Sequence, residues 1–364
     1  MESFPVTAIL GPRQCGKSTL AKALAPDHAF DLENPRDLAK LQNPMLALES
    51  LQGSVMIDEI QRKPDLFPLL RYLCDQDPDR RFLVLGSASR DLIRQSSESL
   101  AGRIAYQQLG GFRIDDVGDP RRLWLRGGFP RAYLAANDKM ADVWKQQYVT
   151  TYLEQDIPQL GIQIPSQTLR RFWTMLAHYH GQTLNFSELA TSFGISDKTV
   201  RHYVEILEGT FMVRLLQPWL PNLGKRLVKS PKLYLRDSGI FHALMRQVTE
   251  EDVVSNPKLG ASWEGFALEQ CIQALDLSAG EAHFWKPHDG SAELDLFYLR
   301  HGRPCGIEFK FADAPAITKS MRKAVELLGL DRLWVVYPGS TSYDLEEKIR
   351  VVSLAEVPKI LRAD

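Results

Sequence analysis

A chain of 364 residues is too long for one ordinary core, so two or three domains are expected. With 44% hydrophobic and 24% charged residues it is neither disordered nor membrane-embedded. The formal net charge of -1 excludes a globally basic nucleic-acid binder but leaves room for a local basic patch.

The apolar stretch Val6 to Leu10 runs straight into Gly11, and Glu2 stands where a signal peptide carries positive charge. No apolar run approaches the roughly 20 residues that span a bilayer. The cysteines Cys15, Cys74, Cys271 and Cys305 lack any paired metal-ligand spacing and read as reduced thiols, so zinc is not expected and a cytoplasmic location is.

Up to about residue 115, short continuous apolar runs alternate with helical stretches. The runs are Val6 to Leu10, Ser54 to Ile57 and Arg81 to Leu85, and continuity of this kind predicts parallel strands buried on both faces. Directly after the first run, Gly11-Pro12-Arg13-Gln14-Cys15-Gly16-Lys17-Ser18 matches G-x-x-x-x-G-K-[ST] at every fixed position, and Thr19 opens the expected helix. Backbone N–H groups of such a loop wrap the phosphates of a nucleoside triphosphate, here read as ATP. Lys17 is expected to reach the β- and γ-phosphates, and the Ser18 hydroxyl to ligate Mg²⁺.

Asp58 ends the second run, where a buried carboxylate is costly unless it faces a cation. It is the expected partner for Mg²⁺, and neighbouring Glu59 the expected polariser of the attacking water. The third run leads to Leu85-Gly86-Ser87-Ala88-Ser89. Ser87, or alternatively Ser89, is expected to sense the γ-phosphate or position the water, as a polar residue here does in additional-strand P-loop ATPases, unless both only cap the next helix. Arg103, at the end of Ser99-Leu100-Ala101-Gly102-Arg103, is a candidate to offset transition-state charge in its own or a neighbour's site.

From about 120 to 235 the pattern is mostly helical. Ser187 to Gly194 reads as a short helix ending at glycine, and Ser196 caps a second helix from Asp197 to about Glu208. Val200, Tyr203, Val204 and Leu207 form its apolar face, with Lys198, Thr199, Arg201 and His202 opposite. Phe211 to Leu216 suggests a wing strand, and Lys225, Arg226, Lys229 and Lys232 a basic run. Such a unit suits a DNA groove or serves as a structural or protein-contact module.

Strands return in Leu294 to Tyr298, Gly306 to Lys310 and Leu333 to Tyr337. On a strand, Glu308 and Lys310 share one face and Ile307 and Phe309 the other. A Glu-x-Lys pair of this kind is ordinarily a solvated ion pair worth under about 1 kcal/mol. Here Asp295 lies on the preceding strand and Glu264 follows Trp263 on a helix upstream.

Taken in order, these segments resemble the AAA-like ATPases of prokaryotes that carry a C-terminal domain of unknown function with a nuclease-like motif. The likeness spans nearly the whole chain, from the phosphate loop, V-M-I-D-E-I-Q and G-S-A-S through S-L-A-G-R, Arg126-Gly127-Gly128-Phe129-Pro130 and Tyr152-Leu153-Glu154-Gln155-Asp156-Ile157 to Trp263-Glu264-Gly265-Phe266 and the final E-x-K. It implies an α/β architecture in three parts. Residues 1–118 would be an additional-strand, AAA-like P-loop NTPase domain with a parallel sheet. Residues 119–235 would be helical with a winged helix, and 236–364 an α/β restriction-endonuclease-like domain.

In the PD-(D/E)xK fold so implied, Asp295 and Glu308 hold a metal, Lys310 assists the water, and Glu264 supports the metal from its helix. Family members usually have a further stretch before the first strand, so adenine recognition is expected to lack that contribution or to be provided differently. ATP and Mg²⁺ are the implied ligands. DNA, a protein partner and self-assembly stay open.

Overall fold

A computed structural model describes residues 4–87, 96, 98–159, 164–220 and 229–363. These form two compact units, residues 1–111 with 205–212 and residues 112–204 with 213–364. Ser89, Lys225 and Arg226, singled out above, lie outside the described residues.

In the first unit each apolar run is a strand whose side chains are buried on both faces. The strands are β1 (Val6–Leu10), β2 (His28–Asp31), β3 (Ser54–Asp58), β4 (Arg81–Gly86) and β5 (Ile104–Gln108). All neighbours pair in parallel, in the order β2-β3-β4-β1-β5. Strand β4 is thus inserted between β1, which leads into the phosphate loop, and β3, which ends at Asp58. Helices pack on the sheet, among them Leu66–Gln76, which buries Leu66, Phe67, Leu70 and Leu73. Parallel alignment brings the C-terminal ends of β1, β3 and β4 to one edge, the edge at which open α/β sheets bind ligands.

Apart from residues 205–212, the stretches at 119–235 and 236–364, expected as separate domains, both lie in the second unit, where their strands join a single sheet. Its order is β13-β14-β12-β11-β10-β9-β7-β8-β6. Strands β6 (Gln182–Thr183), β7 (Val213–Pro218) and β8 (Lys232–Leu235) come from the first stretch. Strands β9 (His283–Trp285), β10 (Leu294–Arg300), β11 (Arg303–Phe309), β12 (Arg332–Tyr337), β13 (Tyr343–Glu346) and β14 (Ile349–Ser353) come from the second. The seam is a short parallel pairing of β7 with β9, Gln217 opposite His283 and Pro218 opposite Phe284.

Before the seam the elements run helix (Ser166–His178), β6, helix (Phe186–Phe193), helix (Asp197–Gly209), β7 and β8. Asn185 caps the second helix by accepting from the Glu188 N–H at 3.2 Å, and Gly194 ends it with φ 67°. Ser196 accepts from the Thr199 N–H at 3.1 Å at the start of the third. After the seam, helix Leu259–Ala274 buries most of its length in a core shared with β10, β11 and β12. All four cysteines are free and buried. Among the described residues no helix is long and apolar enough to cross a membrane.

Candidate functional site

The phosphate loop leaves β1 through a bend that only glycine fits. A Cβ on Gly11 would lie 2.0 Å from the Leu109 carbonyl oxygen. The Gly11 N–H also donates to the Gly86 oxygen at 3.2 Å, which fixes the loop to the end of β4. Gln14 (φ 62°) and Gly16 (φ 106°) turn the backbone back before helix Lys17–Ala23. Within the loop, Cys15 is buried with its Sγ 3.3 Å from the Leu109 oxygen, and Arg13 pairs with Glu33 at 2.8 Å. Pro12 is buried, while Thr19 is exposed at the start of the helix.

Lys17 is buried, and its ammonium donates to the Gly11 and Pro12 carbonyls at 2.9 and 2.8 Å. The Ser18 hydroxyl donates to Asp58 Oδ2 at 2.6 Å. Asp58 Oδ1 accepts from the Glu59 N–H at 2.9 Å. Hydroxyl and carboxylate oxygens therefore converge from two elements, the donor set a hard divalent cation takes, and Mg²⁺ fits them. Glu59 sits in the left-handed region (φ 54°, ψ 43°), which turns its carboxylate toward the end of β4. Burial raises its pKa above the usual carboxylate value. Ser87, just past β4, is buried and donates to Glu59 Oε2 at 3.4 Å. Gln61, given no role above, donates its amide to both Glu59 and Ser87.

Arg103 is elsewhere. It precedes β5, and the Val6 N–H donates to its carbonyl at 3.1 Å, at the N-terminal end of β1. Five residues of strand, roughly 16 Å, separate that end from the loop. Its guanidinium forms a two-toothed pair with Asp75 at 2.7 and 3.1 Å. A role in its own site is therefore corrected: parallel register carries Arg103 to the opposite edge of the sheet.

In the second unit, Glu264, Asp295, Glu308 and Lys310 come together as expected, with Asp295 on β10, Glu308 on β11 and Glu264 on helix Leu259–Ala274. Lys310 donates to Glu308 Oε1 at 2.7 Å, and Asp295 Oδ2 accepts from the Phe309 N–H at 3.1 Å. Lys232, read above as part of a basic run, is buried on β8, with its ammonium 2.6 Å from Glu293, 3.3 Å from Glu264 and 3.4 Å from Asp295. Burial opposes its charge, yet these carboxylates hold its pKa well above the ordinary lysine value. The Tyr234 hydroxyl donates to Glu264 from the same strand. Burial and the nearby Asp295 charge push Glu264 up to about 7 and Glu308 up to about 8.

The expectation that Asp295 and Glu308 hold a metal meets a poor fit. Lys232 supplies the positive charge between Asp295 and Glu264, and Glu308 Oε2 is the one oxygen of the Asp295–Glu308 pair that is buried without a partner. Among the described residues no group of three or more His, Cys, Asp or Glu side chains is arranged to hold a metal ion.

On the helix Asp197–Gly209, Lys198, Arg201 and His202 are exposed and Val200 and Val204 buried, as patterned. The Arg201 guanidinium lies 4.0 Å from the centre of the Phe186 ring.

The AAA domain family model matches residues 3–117, most of which lie in the first unit. Two domains of unknown function match the rest, DUF8612 at 118–251 and DUF4143 at 259–357. The chain is 46% identical over 359 residues to the uncharacterized proteins Mb2031c of Mycobacterium bovis and Rv2008c of Mycobacterium tuberculosis, covering 97% of this chain and 81% of theirs. It belongs to the family of these proteins. Among solved structures, the Walker-type ATPase PABY2304 of Pyrococcus abyssi is similar with 16% identity and a TM-score of 0.43, over 67% of this chain and 92% of that one.

Proposed function

We propose that this chain binds ATP with Mg²⁺ and hydrolyses it at the C-terminal edge of the first sheet. The observation that carries this reading is the convergence of Lys17, Ser18 and Asp58 behind a loop whose glycine cannot be replaced. Lys17 rests on two neutral carbonyls, so an arriving triphosphate offers its ammonium a better partner. Ser18 and Asp58 would hold Mg²⁺, which supplies charge neutralisation at the phosphates. Glu59, its pKa raised by burial, stands as the group that takes a proton from water. Replacing Lys17 by Ala is expected to abolish turnover and leave the circular dichroism spectrum unchanged; full turnover in that variant would end the reading.

The remaining parts read as a winged helix, from the element order ahead of β8, and as a restriction-endonuclease-like sheet, from the Glu264, Asp295, Glu308 and Lys310 set. The exposed Lys198, Arg201 and His202 support DNA as a partner. Lys232 favours a second reading of the whole: ATP occupancy drives a conformational change acting on a protein partner, and the C-terminal carboxylates do not cut nucleic acid. An ammonium already placed among those carboxylates removes their need for a metal.

A further inference from the structure

The turn Ile60–Arg62 follows Asp58 and Glu59 and is anchored by buried Ile60. Its second residue, Gln61, bridges two groups assigned to hydrolysis. The Nε2 group donates to Glu59 Oε2 and, at 3.0 Å, to Ser87 Oγ. The amide's orientation is settled by chemistry: a carboxylate oxygen cannot accept from an amide oxygen, so nitrogen must face Glu59. That leaves Gln61 Oε1 buried with no donor. A glutamine that merely stitched the turn together would satisfy its acceptor as well. This one spends both its donors on Glu59 and Ser87.

From this we infer that Gln61 is a positioning residue that ties the Glu59 carboxylate to Ser87 and keeps it in place during ATP hydrolysis. The inference rests on the ATPase reading above. Glu59 is held at a backbone conformation that a non-glycine residue keeps only when its surroundings hold it there. Two side-chain donors reach its Oε2, Gln61 and the Ser87 hydroxyl. Ser87 adjoins Gly86, whose oxygen receives the Gly11 N–H of the phosphate loop, so a γ-phosphate arriving in that loop competes for the Ser87 hydroxyl. When that hydroxyl turns to phosphate, Gln61 is the donor that stays on Glu59.

The test compares the unaltered chain with Gln61→Ala, Gln61→Glu, Ser87→Ala and the Gln61→Ala/Ser87→Ala pair, measuring MgATP affinity by calorimetry and kcat by phosphate release. Gln61→Ala is expected to keep MgATP affinity within about twofold and to lose about 100-fold in kcat, the size of effect that follows when a reacting group is misplaced by an ångström. The double variant should lose less than the product of the two single losses. In Gln61→Glu, kcat relative to the unaltered chain should rise as pH falls from about 8.5 to about 6, because a protonated carboxyl has the shape of the amide and can give its single O–H to Glu59. An unchanged or raised kcat in Gln61→Ala, multiplicative losses, or a flat pH ratio in Gln61→Glu overturns the inference. If instead the unaltered chain binds no MgATP, it is the ATPase reading that fails.

Discussion

Lys232→Met keeps most of the buried stem and deletes only the ammonium. The lysine side chain is 3% exposed, and of its three partners Asp295 is 10% and Glu264 19% exposed. Glu293, at 33%, keeps Lys286 at 2.7 Å and is discounted for solvent screening. Two buried carboxylates are thus left uncompensated, and breaking a buried ion pair from one side costs about 3–5 kcal/mol. With a urea slope of about 3 kcal/mol/M, the unfolding midpoint should drop by at least about 1 M. All seven tryptophans lie in the second unit, so their fluorescence reports on that unit alone. The sign of the pH effect follows from Glu264 at about 7 and Glu308 at about 8. Carboxyls raised above their unfolded values bind more protons when folded, so their stabilisation is complete at acid pH and is lost as pH rises through 7 and 8. Removing the ammonium, whose charge holds Glu264 down, raises that carboxyl further. The deficit should therefore be largest near pH 8 and shrink toward pH 5. A deficit below about 1 kcal/mol at pH 8, or one that does not change with pH, would refute the claim that Lys232 neutralises this cluster.

With Mg²⁺ or Mn²⁺, the unaltered chain should nick supercoiled plasmid no more than Lys310→Ala does; nicking abolished by that substitution would restore the metal-dependent reading of Glu308 and Asp295. Arg103→Ala, measured where the chain is monomeric, should leave ATP turnover within about twofold, since Arg103 and its partner Asp75 are both well exposed at the far edge of the sheet. A drop beyond about tenfold in monomers would contradict that placement.

Motifs that a backbone geometry demands were the readable part of this chain. The phosphate loop, the strand ending at Asp58 and the serine after β4 each combine a buried apolar run with a polar residue at its C-terminal end, and parallel pairing brings such ends together. For Arg103 the own-site alternative failed because sequence distance from a motif says nothing about which end of a strand a residue occupies; only the β1–β5 register decides that. Lys232 was misjudged for a different reason. It follows Lys225, Arg226 and Lys229 and so joined a charge run, yet Lys-Leu-Tyr-Leu alternates, placing Lys232 and Tyr234 on one face and Leu233 and Leu235 on the other. Gln61 closes the V-M-I-D-E-I-Q segment, but nothing in the sequence assigned it a role, since the pairing with Ser87 comes from across the sheet.

The two buried lysines sit among partners of different charge, and on the proposed reading that difference favours a ligand at one cluster and disfavours one at the other. Lys17 is held by the carbonyl oxygens of Gly11 and Pro12, neutral acceptors that its ammonium leaves readily for a phosphate carrying full negative charge. Lys232 is held by three carboxylates, so any cation entering their midst must displace a charge already neutralised and leave that ammonium buried without partners. Ligand binding at the first lysine exchanges weaker hydrogen bonds for stronger ones. Metal binding at the second would exchange an internal ion pair for a metal contact at the expense of a stranded charge, and that asymmetry supports the proposal that nucleotide chemistry belongs to the first unit and that the carboxylate cluster does not take a metal.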